Sequence, residues 1–354
     1  MEIIFVTSAL HGGGAERVMS TLANRFVRQG DTVIILMVAG TEVEYALDEK
    51  VQLCSIGQPS HGNPLVQIKR LSDMRRYFKR HKDAVIVSFG TKINMFTLLA
   101  AFGLKNRVIV SERSDPNQCT YQKLRNLIYS LGKGFVFQTE AAMQHFPLKI
   151  QAHGVIIPNP LRNGVPEIYY GVREKKIAAV GRLEKEKNNI LLIRAFAGFL
   201  RKHSDYELHF FGKGSLEQML REESKKLGID KKVVFEGFRE DTLQQIRSYG
   251  MYVISSDFEG VSNSLIEALS LGLPCIATDC PIGGCAMCIQ NGENGLLIPV
   301  GNVEALEKAM CYLAENAGAA EKMSKNAAMA RERFAEEKVA DMWYTFMENC
   351  GEEG

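Results

Sequence analysis

No apolar run in this sequence of 354 residues reaches the roughly 18–20 residues that a membrane-spanning helix requires. The nearest, residues 84–104, is interrupted by Lys92 and Asn94. The opening residues Met1-Glu2-Ile3-Ile4-Phe5-Val6 carry no basic segment and run straight into a strand-like pattern, so no secretory signal is expected. Without one, the eight cysteines read as reduced cytosolic thiols. Cys275, Cys280, Cys285 and Cys288 crowd together, but they form no matching C-x2-C pair and Cys275 falls within a strand pattern, which argues against zinc. Excess charge is also missing. The 43 basic and 41 acidic residues leave +2, too little for a binder held on nucleic acid by phosphate contacts. With 10 Pro and 31 Gly, and neither a low-complexity tract nor a short repeat, the chain is not of the disordered or collagen-like kind.

What is present is ordinary globular material, 46% hydrophobic and 24% charged. The length suggests about two domains. A folded chain of this size should bury roughly three quarters of the surface it exposes unfolded, so it needs no disulfides or structural metal. The near-neutral total conceals an asymmetry: residues 1–165 hold 20 Lys+Arg against 12 Asp+Glu, the remainder 23 against 29. A basic half and an acidic half point to different partners. Strand-like runs at 3–7, 32–38, 84–88, 108–111 and 134–138 alternate with helical patterns such as 15–29. Pro158, Pro160 and Pro166 break the rhythm, and it restarts with strands at 177–180, 207–211, 233–236, 251–255 and 274–278 and helices at 190–202 and 215–227. Such alternation predicts two α/β domains with parallel sheets. Their expected spans are 1–163 and 164–335, with a C-terminal helix over 336–354 crossing back to the first. Ligands of these sheets bind at the carboxyl ends of the strands, so two facing sheets would share a cleft.

The motifs fall at those ends. Gly12, Gly13 and Gly14 follow the first strand and open a helix, where backbone can approach an anion. A dinucleotide fingerprint fails, because Arg17 holds its third glycine position and no acid closes the second strand; a tight strand–helix turn is the plain alternative. Arg182 and Lys187, in Gly181-Arg182-Leu183-Glu184-Lys185-Glu186-Lys187-Asn188, suit a diphosphate gaining charge as a leaving group. Phe211-Gly212-Lys213-Gly214-Ser215 is a further strand–turn–helix junction. Glu259 and Glu267 lie eight apart across a loop–helix junction, with Ser264 or Asn263 expected to cap the helix. Glu267 then falls in the first turn, where it can accept a pair of ribose hydroxyls, although Ser264-x-x-Glu267 also reads as a capping box. Glu259 has no comparable structural reading. The turn Gly283-Gly284-Cys285-Ala286 presents backbone N–H groups to an anion.

In this order, with Asn294-Gly295-Leu296-Leu297-Ile298-Pro299 following, the motifs resemble glycosyltransferase family 4. Members have the GT-B fold, two Rossmann-like domains facing across a cleft, and retain anomeric configuration. The resemblance spans almost the whole chain and is densest over 177–310. Val87-Ser88-Phe89 and Val110-Ser111-Glu112-Arg113-Ser114-Asp115-Pro116 are similar to the bacterial branch that builds surface glycans on polyprenyl diphosphate, which includes N-acetylgalactosaminyl- and galactosyltransferases. The resemblance implies that 1–163 binds the acceptor and 164–335 a nucleotide-sugar donor, UDP-linked. Arg182 and Lys187 would hold its diphosphate, Glu267 the ribose, and Glu259 the sugar hydroxyls near the reacting ring. Gly212 and the backbone at Gly284, Cys285 and Ala286 would complete the donor set, with Gly13 and Gly14 approaching the diphosphate from the first domain. Arg113 stands where many relatives place a histidine against the sugar, so no catalytic histidine is assigned; His11 is the substitute in view. No Asp-x-Asp occurs, so neither a metal nor another cofactor is expected.

The expected activity is transfer of a hexose or N-acetylhexosamine to a glycan acceptor on polyprenyl diphosphate. Two other classes fit the architecture, a nucleotide-sugar 2-epimerase and a non-catalytic sugar-nucleotide-binding module. The glutamate spacing and the basic first half favour transfer. Residues 68–82 add a membrane expectation, with seven Lys+Arg and one acid. Ile68, Leu71, Met74 and Phe78 recur at helical spacing as one inward stripe. Arg75, Arg76, Lys79 and Arg80 would then face an anionic lipid surface or the acceptor, placing a cytoplasmic enzyme on the inner face of the plasma membrane.

Overall fold

Parallel strands are covered on both faces, so they form where the sequence runs continuously apolar. The computed structural model describes residues 1–57 and 63–350. The chain divides into two compact units, Met1–Pro160 with Glu336–Gly354, and Leu161–Ala335. The boundary falls three residues before the expected one. Leu161 is already buried in the second core and donates its N–H to Phe334 O at 2.7 Å.

The first unit holds seven parallel strands: β1 (Glu2–Thr7), β2 (Thr32–Met37), β3 (Gln52–Ser55), β4 (Val85–Phe89), β5 (Arg107–Ser111), β6 (Gly134–Phe137) and β7 (Gly154–Ile156), in the order β3-β2-β1-β4-β5-β6-β7. The two edge strands are absent from the sequence reading, because β3 is largely exposed and β7 is three half-buried residues, so neither carries an apolar run. Alternation sorts the sheet's two faces. Ile3, Phe5, Val33, Ile35, Val85 and Val87 pack against the Gly14–Arg28 helix and the C-terminal helix Glu336–Asn349. Ile4, Val6, Ile34 and Ile86 pack against Met74 and Phe78 of the Pro64–Arg80 helix and Ala100 of the Thr91–Ala101 helix. The Gln122–Tyr129 helix continues that second layer through Ile128 against Val110, Phe135 and Phe137. The long apolar run of the sequence is thus β4 plus the Thr91–Ala101 helix, and among the described residues no helix is long and apolar enough to cross a membrane.

The second unit holds six parallel strands: β8 (Glu174–Val180), β9 (Glu207–Phe211), β10 (Val233–Gly237), β11 (Tyr249–Ile254), β12 (Cys275–Thr278) and β13 (Leu296–Ile298), ordered β10-β9-β8-β11-β12-β13. Ile177 and Ala179 face the helices Asn189–Phe199 and Val303–Glu315. Ala178 faces the Asn263–Ser270 helix. From β8 the chain proceeds outward through β9 and β10, then returns to add β11 on the other side. Connections leaving β8 and β11 therefore diverge, opening a crevice outside their carboxyl ends.

Candidate functional site

The crevice is built by two loops tied together. The turn after β8 begins at Gly181, and Gly212 at the end of β9 presses on it. A Cβ at Gly212, whose φ is +141°, would lie 2.0 Å from Gly181 O, so only glycine fits. The Gly212 N–H is taken by Gly237 O at 2.8 Å, which gives this residue a packing role. Asn188 adopts the left-handed conformation (φ 43°) and caps the Asn189–Phe199 helix, its Oδ1 accepting from Leu191 N at 3.3 Å. Its Nδ2 donates to Asp257 Oδ1 at 2.7 Å. Asp257 N donates to Glu186 O at 2.9 Å, and Ser255 Oγ to Lys187 O at 3.0 Å. The loop after β8 is thereby strapped to the loop after β11.

Between the straps Lys187 Nζ makes an ion pair with Glu259, whose Oε2 also accepts from Ser256 Oγ at 3.1 Å. Both side chains are mostly buried, at 22% and 14% exposure, and line the crevice with Arg182, Ser255 and Ser264. Arg182 is 66% exposed and pairs with Glu186 at 2.8 Å. Such a surface pair is worth at most about 1 kcal/mol, so the guanidinium can turn toward a ligand at little cost.

Glu267 lies elsewhere than expected. The helix is capped by Ser262, whose Oγ accepts from Leu265 N, because Ser264 Oγ donates instead to Val180 O at 3.2 Å. Glu267 therefore sits in the second turn, and the capping-box reading fails. Its carboxylate is buried, with Arg162 Nε 2.9 Å from Oε1. Gly284 packs under the Glu259 turn: a Cβ there would lie 2.1 Å from Gly260 O. The turn before it holds Ile282 at φ 68°, a strained position for a β-branched residue. The Cys285 side chain points into the core, while Ala286 is exposed.

The remaining sequence candidates belong to the first unit. Gly13 is the residue before the Gly14–Arg28 helix, and its carbonyl accepts from Tyr45 Oη at 2.6 Å. Two carboxylates already serve this loop. Glu44 Oε2 accepts from Gly12 N at 2.9 Å, and Glu16 folds back so far that a Cβ on Gly13 would collide with it. Burial raises the Glu16 pKa, with Glu16's own backbone hydrogen bond, His11 and Arg113 pulling it down. Arg113 lies over the Phe89 ring at 5.2 Å and donates to Ser111 Oγ at 3.3 Å and to Asn159 Oδ1. Burial lowers its pKa, against the raising influence of Glu16. Beside it, the buried Glu112 accepts from Thr91 Oγ1 and Asn94 Nδ2, each at 3.1 Å, and from Tyr129 Oη. Burial raises the Glu112 pKa. The sequence reading singled out neither Arg162 nor this Glu112 network; their partners come from distant segments.

The basic helix also needs correction. Its buried stripe is Arg70, Met74 and Phe78, while Ile68 is 65% exposed. Arg75 is not on a solvated face. Its Nη1 donates to Ala100 O at 2.9 Å and Phe102 O at 2.7 Å, closing the end of the neighbouring helix. Arg76, Lys79 and Arg80 are exposed.

The paired lysine and glutamate thus lie at the switch point of an open parallel sheet, where ligands of such sheets bind. The family described as glycosyl transferases group 1 matches residues 171–329, the unit that carries this crevice. Over that unit the chain is similar to these glycosyltransferases. In Campylobacter jejuni it is similar to N-acetylgalactosamine-N,N'-diacetylbacillosaminyl-diphospho-undecaprenol 4-alpha-N-acetylgalactosaminyltransferase, 28% identical over 95% of this chain and 96% of that one. An uncharacterized glycosyltransferase of Haemophilus influenzae is 26% identical over 96% and 97%. Among solved structures, Anabaena HepE in complex with UDP superposes with a TM-score of 0.83 at 17% identity, covering 98% of this chain and 100% of that one. The fold is GT-B.

Proposed function

We propose that this enzyme moves a hexose or N-acetylhexosamine from a UDP-sugar to a glycan acceptor carried on polyprenyl diphosphate, with retention at the anomeric carbon. The observation that carries the reading is the Lys187–Glu259 pair at the β8/β11 crevice. The undecaprenol-linked acceptor named for the Campylobacter relative and the UDP bound by HepE support it. In the reaction the bond from the anomeric carbon to the diphosphate oxygen breaks and one to the acceptor oxygen forms. The acceptor proton passes to the departing diphosphate. Charge grows on that leaving group, where Lys187 and Arg182 stabilise it as fixed cations do. Lys187 exchanges Glu259 for the diphosphate, and the released carboxylate accepts from sugar hydroxyls. No divalent metal takes part, so transfer should persist in chelator. A panel of nucleotide-sugars scored by thermal shift tests the donor. The correct one, at 100 times its Kd, should stabilise by about 2.7 kcal/mol. Nucleotide release should then require acceptor; release without it would favour epimerisation or hydrolysis.

The two glutamates separate by experiment. Glu267→Ala should weaken binding of the bare nucleotide, because ribose loses its acceptor. Glu259→Ala should spare nucleotide affinity and depress transfer. Since Ser262 is the cap, a change at Glu267 does not remove a helix cap. Unaltered nucleotide affinity in Glu267→Ala, measured by calorimetry, refutes the ribose role.

The enzyme docks on the inner face of the plasma membrane through the helix layer of its first unit. Leu65 and Ile68 project from the Pro64–Arg80 helix at 73% and 65% exposure beside the exposed Lys69, Arg76, Lys79 and Arg80. Basic residues at an anionic surface contribute about 1 kcal/mol each, and exposed apolar side chains add to this. Changing Lys69, Arg76, Lys79 and Arg80 to Gln should abolish co-sedimentation with anionic vesicles at low salt. Leu65→Ser with Ile68→Ser should weaken the part of the binding that survives high salt. Equal sedimentation of the wild type with neutral and anionic vesicles would count against the proposal.

A further inference from the structure

On the second unit, away from the β8/β11 crevice, three unlike metal-ligating side chains converge. The Val303–Glu315 helix carries Cys311 and Glu315 four residues apart, hence on one face. His203 comes from the turn that follows the Asn189–Phe199 helix, the element against which that helix packs. Its Nε2 lies 3.2 Å from Glu315 Oε1, and the imidazole nitrogen, the Cys311 sulfur and the Glu315 carboxylate all fall within 4.8 Å of one another. The imidazole is fixed before any ligand arrives. It stacks on Phe199 at 4.7 Å and meets Tyr206 edge-on at 6.1 Å, while the His203 carbonyl accepts from Tyr206 N at 3.2 Å. Cys311 is mostly buried and Glu315 half exposed, so the group is reachable from one side.

The geometry points to a zinc site made by His203, Cys311 and Glu315. One nitrogen, one sulfur and one carboxylate oxygen form a donor set that Zn²⁺ takes at about 2.0–2.3 Å, with tetrahedral ligands about 3.5 Å apart. Side-chain rotation of roughly an ångström closes the present spacing to that value. Three protein ligands leave the fourth position to water. Local charge permits a cation: Lys308 is already paired with Glu304 at 2.6 Å, and Glu307 lines the same surface pocket as Lys202. On binding, Cys311 releases its proton to solvent, because the thiolate is the ligand. The metal would pin the end of the Val303–Glu315 helix to the His203 turn, which gives it a bracing role independent of transfer.

The test is competition between the full-length protein and a chromogenic zinc chelator, with Co²⁺ as an optical probe. One equivalent of Zn²⁺ should bind, and Co²⁺ should give a thiolate charge-transfer band. His203→Gln, Cys311→Ser and Glu315→Gln should each weaken binding at least about tenfold, as disturbing a metal ligand does. Zinc should raise the unfolding midpoint of the wild type and leave that of Cys311→Ser unmoved. A Cys54→Ser/Cys119→Ser control removes the two half-buried thiols outside the site and should bind as the wild type does. Zinc binding that survives Cys311→Ser in a folded protein, or that is lost in the control, overturns the assignment, as does an absence of stoichiometric binding.

Discussion

Replacing Lys187 by alanine should lower kcat by roughly 10²–10³, the loss expected when one preorganised donor to a developing anion is removed. Three features make the ammonium preorganised. Its backbone carbonyl is held by Ser255 Oγ at 3.0 Å, its head is oriented by Glu259, and its stem is the nearest neighbour of Gly181, with Cε 3.7 Å from where a Cβ would stand. Arg182 lacks such support, so Arg182→Ala should fall toward the lower end of that range while leaving stability within about 0.5 kcal/mol. Lys187→Ala has a second consequence: the Glu259 carboxylate is left mostly buried, without its cation and with a hydrogen bond from Ser256 Oγ. Effects at Lys187 and Glu259 should therefore be non-additive by about 0.5–3 kcal/mol in a double-mutant cycle with Glu259→Gln. Single-turnover transfer, measured on variants shown to be folded, decides the matter. Wild-type turnover in Lys187→Ala removes the residue from the mechanism, and strict additivity removes the exchange of partners.

The charged loops were legible because glycine and charge recur where strands of an α/β sheet end. The places of Arg182, Lys187 and Glu259 at strand ends could be read from the sequence, and the resemblance supplied the roles expected of them. Their pairing could not, since Lys187 and Glu259 are separated by 72 residues and the sequence does not state strand order. The reading of Glu267 failed at a finer level. Ser262, Asn263 and Ser264 can each cap a helix, and the choice was settled by a tertiary contact, the pull of Val180 O on Ser264. The basic helix shows the same limit. Helical spacing admits Ile68 or Arg70 at the start of the inward stripe, and hydropathy selects Ile68. The fold buries Arg70, whose apolar stem can pack while its Nη1 donates a hydrogen bond to Gln67 Oε1 at 3.0 Å. Edge strands β3 and β7 were invisible for the converse reason, too little apolar sequence to register.

Trp343→Ala should destabilise the first unit by about 3–5 kcal/mol, the usual cost of deleting a fully buried large aromatic side chain. Trp343 is fully buried, stacks on Phe89 of β4 with ring centroids 5.7 Å apart, and belongs to the core formed by β1, β2 and the Gly14–Arg28 helix. It is also the centre of the segment that returns to this unit from the far end of the chain. Val339, Ala340 and Met347 bury the same face of the C-terminal helix, and Arg107 Nη1 donates to the carbonyls of Met347 and Glu348 at 3.0 Å each. A cavity here therefore loosens a helix that local sequence does not otherwise hold. Trp343→Phe is the informative partner. The indole Nε1 is buried with no hydrogen-bond partner among the described residues, and an orphaned donor costs about 1–3 kcal/mol. Phenylalanine discards that liability and keeps the stack, so its cost should not exceed about 1.5 kcal/mol. Trp343 is the single tryptophan of the chain, so wild-type fluorescence reports this unit alone during urea unfolding. Circular dichroism follows the variants, with two transitions allowed for because a two-domain chain need not unfold in one step. An unchanged first-unit midpoint in Trp343→Ala would mean that the C-terminal helix is not docked on this sheet. Equal losses in the alanine and phenylalanine variants would instead mean that the indole nitrogen has a partner in solution, and that the hydrogen bond, rather than the ring, secures the helix.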